Sequence, residues 1–252
     1  MSKKLWEASQ TKKKYSNLYK YEKFLSKKYN LNIKQNYSRI LKWTINNPNK
    51  FWSSIWDFAG VKGIKKEKSY LSKILFKSKF LINSELNFAE NLLSKNDNSK
   101  AITFISENGY REVRSWKDLN LNVNKIANFI KKINIKENDR VAAYLPNLIE
   151  TVEAFIATTS LGAIWSSCSP DFGVEGVIER FAQIKPKVLI IADRYYYNGK
   201  EINIIERLPR ILKKIKSIKN IIIVNYPGKT YLKFEKINKI KINFWKEITK
   251  VK

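Results

Sequence analysis

The chain has no histidine. That absence removes every Ser-His or Cys-His nucleophile pair and every His-ligated metal from within it, because imidazole is the base or the ligand in each. A single cysteine, Cys168, excludes an internal disulfide framework. With no neighbouring His or cation to activate its thiol, Cys168 reads as a small buried residue rather than a nucleophile. Glycine is scarce, eight in 252 residues, and nowhere do glycines gather with a lysine into the kind of loop whose N–H groups cradle phosphate oxygens. No apolar run approaches the ~20 residues of a membrane span. The first thirty residues lack the continuous apolar stretch of a signal peptide, so the expected compartment is the cytoplasm.

What is present argues for a folded protein. Hydrophobic residues make up 44% and aromatics 13%, far from the composition of a disordered chain, and the length allows one or two domains. The net charge of +27 invites a nucleic-acid reading, so its distribution decides. The excess is almost entirely Lys, in company with abundant Asn and Ile, a trio that an AT-rich genome favours. Between Val141 and Asp193 it disappears: Arg180, Lys185 and Lys187 stand against Glu150, Glu153, Asp171, Glu175, Glu179 and Asp193. A nucleic-acid site needs cations on one face with aromatics placed for stacking. These lysines lie scattered, so no dedicated nucleic-acid partner is expected.

Along the first third, a Lys-rich helix is expected from Thr11 to Tyr29, and Ile40, Leu41, Thr44 and Ile45 recur at helical spacing until Asn47-Pro48. Pro48 suits the first turn of the next helix, where its missing N–H costs nothing. Phe51, Trp52, Ile55, Trp56 and Phe58 give that helix an apolar face, and Gly60 ends it. Lys62 to Lys79 is a charged connector, and Leu86 to Leu93 a short helix. Asn108-Gly109 between alternating segments, Ala101 to Ser106 and Tyr110 to Arg114, is a hairpin signal. Ser115 caps a helix running to about Lys132.

From Arg140 onward strands and helices alternate. Arg140–Leu145, Ala163–Ser167, Lys187–Ala192 and Asn220–Tyr226 read as strands, separated by helices at Leu148–Leu161, Val174–Ile184 and Glu201–Ser217, the last kinked at Pro209. Short loops between them imply right-handed crossovers and a parallel sheet covered by helices on both faces. Asp171 is expected to cap the helix after Ala163–Gly176, AIWSSCSPDFGVEG. After Gly228 the signal weakens to a Lys-rich tail holding Phe234, Ile237, Ile240, Phe244 and Trp245. With the chain stopping at Lys252, an exposed apolar edge or face is expected near Ile221 to Val224, with Phe244 and Trp245 poorly anchored.

GAIWSSCSPDFGVEGVIERFAQIKPKVL resembles the acetoacetyl-CoA synthetases, in the adenylate-forming acyl-CoA synthetase superfamily. LKWTINNPNKFWSSIWDFAGV is similar to the N-terminal accessory region of acetyl- and acetoacetyl-CoA synthetases, and LNFAENLL and SWKDL are also family-like. The resemblance implies an α/β fold in which residues 1–85 form the helical accessory region and residues 86–252 the first part of the AMP-binding domain, truncated before its phosphate loop.

For function the resemblance implies an acid–thiol ligase using ATP, Mg2+ and CoA, which passes an acyl group from an adenylate to the CoA thiol. The superfamily's loop, roughly Ser-Gly-Thr-Thr-Gly-x-Pro-Lys, is not found; Thr158 to Gly162 is a decoy that ends a helix and lacks the Lys. The C-terminal catalytic Lys is missing too, so no catalytic residue and no metal ligand is expected within the chain. One contact remains. In related acetyl-CoA synthetases the loop matching ADRYYYNGKEI, Ala192 to Ile202, carries Arg residues that meet the nucleotide end of CoA. Aligning on Ala192-Asp193 and Gly199 puts Tyr197 and Lys200 at those positions, with Arg194 close by. A Lys meets phosphate as a point charge without the bidentate fork of Arg. Tyr195, Tyr196 and Tyr197 either stack on adenine or cover the sheet edge, and Asp193 ends its strand and caps the turn.

Three readings stand at this point. The chain is the N-terminal part of the ligase, broken by a frameshift or completed by a second polypeptide, with small-molecule substrates in the complete enzyme. Otherwise it is a non-catalytic remnant binding a nucleotide or a partner, or, least favoured, a basic nucleic-acid binder.

Overall fold

Two compact units, residues 1–86 and 87–252, divide the computed structural model, which describes residues 5–33, 36–66, 72, 74–227, 236–237 and 240–250. Phe234 and Gly228 of the expected tail, and residues 67–71 of the expected connector, lie outside the described residues.

The first unit is helical: α1 (Gln10–Tyr15), α2 (Asn17–Tyr29), α3 (Tyr37–Asn46) and α4 (Pro48–Ala59). The single expected helix over 11–29 is split at Ser16, whose extended backbone ends α1 while its hydroxyl accepts from Tyr19 N–H to cap α2. Pro48 opens α4, and Gly60, in the left-handed region, closes it. Tyr21, Leu25, Ile33 and Ile40 form a core with Phe24, Phe51, Ile55 and Phe58 packed on it. Trp56 is buried, and Trp52 sets its ring against Phe51 and Phe80, each at 5.0 Å. A Cβ at Gly63 would fall 2.3 Å from the Glu85 carbonyl, so only glycine permits the Ile64–Glu85 bridge.

The second unit opens with α5 (Phe88–Leu92), then an antiparallel hairpin, β1 (Lys100–Ile105) and β2 (Arg111–Ser115), and α6 (Trp116–Lys132), capped by Ser115. There follow β3 (Arg140–Tyr144), α7 (Ile149–Ser160), β4 (Ile164–Cys168), α8 (Val174–Ile184), β5 (Val188–Ala192), a second hairpin of β6 (Arg194–Tyr197) and β7 (Lys200–Asn203), α9 (Leu208–Lys214), β8 (Asn220–Val224), β9 (Lys236–Ile237), β10 (Ile240–Phe244) and α10 (Trp245–Lys250). The main sheet runs β4-β3-β5-β8-β10-β9. Its first five strands are parallel, and β9 is antiparallel. All five residues of β5 are buried, the continuous apolar run expected of a strand covered on both faces.

Connection order fixes the layers. From β3 the chain steps outward to β4 through α7, then returns through α8 to β5 on the other side of β3. With right-handed crossovers those opposite steps place α7 and α8 on opposite faces. The sheet therefore reverses direction between β3 and β5, and their carboxyl ends splay into a crevice.

Three expectations are corrected. The edge beside Ile221 to Val224 is closed, because β10 pairs Ile242, Asn243 and Phe244 with Ile221, Ile222 and Ile223. Trp245 and Ile248 of α10 are buried, and Lys125 of α6 holds α10 by donating to the Thr249 carbonyl at 2.7 Å. The expected helix from Glu201 begins only at Leu208, because Asn198-Gly199 turns residues 194–203 into a hairpin; Pro209 starts the helix rather than kinking it. Gly173, not Asp171, is the N-cap of α8, since the Asp171 carboxylate is engaged by the Ser169 hydroxyl at 2.8 Å.

Candidate functional site

The crevice at the β3/β5 reversal carries the features that bear on function, and three segments build it. The first is the turn after β4. Tyr144, at the end of β3, is wholly buried, with its hydroxyl 3.1 Å from the Pro170 carbonyl and 2.6 Å from that of Phe172. Arg207 donates to the Tyr144 oxygen and, at 3.0 Å, to the Pro170 carbonyl. Burial pushes the Tyr144 hydroxyl above the usual phenol range, against the pull of Arg207. Cys168, also buried, has its thiol pushed up by the same cause, as befits a packing residue.

The second segment is the β6–β7 hairpin. Asn198 and Gly199 have φ of +50° and +70°, the pair of positive values that a type I′ turn demands. The three tyrosines differ in exposure along the strand, from its base on the sheet to its tip at the turn. Tyr195 is buried, Tyr196 sets its ring 5.2 Å from Tyr226, and Tyr197 stands 60% exposed. Of the alternatives left open by the sequence, Tyr195 and Tyr196 are packing residues, and Tyr197 alone presents its ring to solvent. Tyr197 and Lys200 face each other across the turn, both exposed, with Asn198 and Gly199 making the turn between them. Arg194 lies apart from that tip. Its guanidinium bonds Glu201 at 2.8 Å across the hairpin and approaches Asp193 at 3.4 Å, so its fork is occupied.

Asp193 does more than end β5. Wholly buried, it accepts from the Tyr226 N–H at 2.8 Å and from the Asn225 amide at 3.2 Å. Its own carbonyl takes the N–H groups of Ile204 and Ile205. One residue thereby ties the ends of β5 and β8 to the base of the hairpin.

The third segment is β1 with its turn. Ile102 to Glu107, Pro146 to Ile149, Val152, Tyr196 and Tyr226 line a groove of about 330 Å³. It lies at the carboxyl side of β3, where α7 begins. Glu107 and Tyr226 in this lining carry no local sequence signal, because what brings them together is topology. The decoy at Thr158 to Gly162 is what it seemed, with Thr158 and Thr159 on the last turn of α7 and the Thr159 hydroxyl bonded back to Phe155.

Behind the groove α7 turns two carboxylates inward. Glu153 is wholly buried; Oε1 accepts from Asn122 at 2.9 Å and lies 2.9 Å from Arg114 Nε, while Oε2 has no partner. Burial pushes its pKa to about 7, opposed by Arg114 and Asn122. Glu150 is pushed up by burial as well. Arg114 also holds Glu112 at 3.0 Å, and Tyr110 donates to Glu112 at 2.9 Å. The sequence did hold a signal here: Glu153 stands in an otherwise apolar stretch of α7, beside Val152 and ahead of Ala154 to Ala157. Among the described residues no cluster of His, Cys, Asp or Glu suits a metal, and no helix is long and apolar enough to cross a membrane.

Comparison with known proteins agrees with this architecture. The acetoacetyl-CoA synthetase of Xenopus tropicalis is 38% identical over 200 residues, which cover 76% of this chain and 29% of that protein. The acetoacetyl-coenzyme A synthetase of Rhizobium meliloti is 36% identical over 193 residues, with the same two coverages. The chain thus spans under a third of the length of these relatives. Among solved structures, the acetoacetyl-CoA synthetase from Streptomyces lividans matches 99% of this chain and 38% of its own, with a TM-score of 0.87 at 21% identity, a likeness of fold. The AMP-binding enzyme family matches residues 90–244, from α5 through β10, and the chain belongs to that family.

Proposed function

We propose that the chain supplies the N-terminal part of an acid–thiol ligase that makes acetoacetyl-CoA from acetoacetate, ATP and CoA through an acyl-adenylate, and that it is inactive alone. The observation that carries this is the 38% identity, over three quarters of the chain, to a protein of that name. The division of labour follows from the residues. The six-stranded sheet and the crevice at its β3/β5 reversal are formed by these residues, whereas the sequence holds no Gly- and Lys-bearing loop to take the phosphates of ATP with Mg2+.

The β6–β7 tip fits a CoA phosphate in part. Lys200 is an exposed point charge beside the glycine turn, and Tyr197 offers an exposed ring across from it. Arg194 serves to hold the hairpin, since its donors face Glu201 and Asp193. In this reading Lys200 attracts the phosphate, Tyr197 flanks the base, and Gly199 lets the backbone approach.

The purified chain is expected to show no acetoacetate-dependent exchange of pyrophosphate into ATP. Exchange should appear when the chain is co-produced with the portion of the Rhizobium meliloti synthetase beyond the matched region. Exchange by the chain alone would overturn the assignment of chemistry to residues it lacks. A second reading, a nucleotide-binding remnant without catalysis, is favoured by the intact hairpin tip alone. It predicts nucleotide binding but no exchange in either preparation.

A further inference from the structure

We infer that the end of the main sheet opposite the crevice binds a nucleic-acid duplex through its phosphates, without reading sequence. The inference goes beyond the ligase reading and does not depend on it. Lysines that lie scattered along the sequence are gathered here by topology. Three neighbouring parallel strands, β3, β5 and β8, enter the sheet at this end. The approach to β3 carries Lys131, Lys132 and Lys136, and the approach to β5 carries Lys185 and Lys187. The approach to β8 adds Lys213, Lys214, Lys216 and Lys219. All nine are exposed.

Backbone bonds hold the three approaches side by side. Lys187 N–H donates to the Arg140 carbonyl at 2.9 Å, and Lys219 N–H to the Lys187 carbonyl at 2.9 Å. At ~4.8 Å between strands, β3 and β8 stand about 10 Å apart. α6 packs on α7 and α9 on α8, so their lysines reach this end from opposite faces of the sheet, each about one helix diameter of ~10 Å away. The charges therefore spread wide enough to meet phosphates on both sides of the ~12 Å major groove.

The helix dipole accounts for Lys131, Lys132, Lys213 and Lys214, which sit in the last turns of α6 and α9. It does not account for Lys136, Lys187, Lys216 and Lys219, which lie beyond those turns. Among the described residues only Lys187 of the nine meets a carboxylate, Asp139 at 2.7 Å. Glu137 is the one other acid in these segments. Like charges held this close repel one another, and a polyanion relieves the repulsion.

The chemistry of the patch selects which polyanion. Lysines meet phosphate as point charges, without the Arg fork that reads base edges. No aromatic residue stands in the three segments. There is thus no platform for the unstacked bases of a single strand, and no Trp or Tyr to seat in a lipid interface. A duplex needs neither, and it presents one charge per ~1.7 Å of its length.

The test follows binding of the purified chain to a labelled DNA duplex of about 20 base pairs and arbitrary sequence, by fluorescence anisotropy across a salt series. One variant carries Lys136→Gln, Lys216→Gln and Lys219→Gln together. A control removes the same charge from the helical unit, through Lys12→Gln, Lys20→Gln and Lys27→Gln, at positions also exposed. We expect the first variant to bind roughly tenfold or more weakly at low salt and to lose about 2–3 from the slope of log affinity against log salt. The control should stay within about twofold of the parent, and Arg at the first three positions should restore binding. Should the triple Gln variant fold poorly, Lys216→Gln alone must still lower the slope by about 1. Equal losses in variant and control would show diffuse net charge and no patch. Tighter binding to phosphatidylserine-containing vesicles than to the duplex would assign the patch to a membrane surface. Either result, or a single strand bound as tightly as the duplex, would overturn the inference and leave the ligase reading untouched.

Discussion

The backbone N–H of Gly199 donates to the Glu107 carboxylate at 3.0 Å, joining the tips of two hairpins 92 residues apart. The contact steadies the β6–β7 turn, but it sets a negative charge beside Lys200, where the proposed ligand brings phosphate. Glu107→Gln keeps an acceptor for Gly199 and removes the charge. The phosphorylated adenosine half of CoA should then bind the purified chain several-fold more tightly at low salt, with the gain fading as salt screens it. Lys200→Ala should weaken the same binding. Calorimetric titration at two salt concentrations decides, and if neither variant moves the affinity, the hairpin is not the nucleotide contact.

A second prediction concerns Asp193. Its carboxylate receives two buried donors from the end of β8 and faces Arg194. Asp193→Ala leaves these without an acceptor, and unsatisfied buried donors are costly. The expected loss is about 2–4 kcal/mol in urea unfolding. Asp193→Asn, which keeps an acceptor for Tyr226 N–H, should lose about half of that. Equal losses in the two variants would mean that the space Asp193 fills matters more than its hydrogen bonds.

The Tyr144 hydroxyl offers a third. Held between Arg207 and the carbonyls of Pro170 and Phe172, it fixes the turn that leads into α8. Tyr144→Phe should cost about 1–2 kcal/mol and speed amide exchange across residues 169–173, leaving β3 and β5 protected. Uniform exchange over the sheet would instead point to global destabilisation, with no special role for this turn.

Where the fold was legible, local chemistry and tertiary demand agreed. β3, β5 and β8 are apolar runs closed by Pro146-Asn147, Asp193 and Pro227, and they read directly as parallel strands. β10 does not stand out as a strand although Ile240, Ile242 and Phe244 alternate with polar residues. Its lysines matched a tail rich in lysine throughout, and only the register with Ile221 to Ile223 shows its place. At the β6–β7 hairpin two local signals compete: Asn198-Gly199 repeats the turn signal of Asn108-Gly109, but Glu201 to Ser217 also carries helical spacing. At the site, the sequence located Tyr197, Gly199 and Lys200 on one tip. It held nothing to place Glu107 beside Gly199 or Tyr226 above Asp193, because those contacts are made by strand order.

Glu153 supports the last prediction, which concerns pH. Its folded pKa stands at about 7 against an ordinary value of 4.5, raised chiefly by burial. Between those values the folded protein keeps a proton that the unfolded chain has released. The contribution to stability is therefore full below about pH 4.5 and is lost as pH rises through about 7, a total of about 3 kcal/mol. Other groups titrate over the same range, so the difference between two proteins is the useful quantity. Glu153→Gln retains a carbonyl oxygen for Asn122 and Arg114 and cannot ionise. Measured by urea unfolding, its stability relative to the parent should rise by about 2–3 kcal/mol between pH 5 and pH 8, because the parent alone bears the cost of a buried carboxylate at the higher value. The remaining charges around it, Glu112 and Arg114 of β2 and Glu150 of α7, are common to both proteins. A relative stability flat across that range would show that Glu153 ionises inside the fold as easily as in water, with Arg114 meeting the whole cost of its burial.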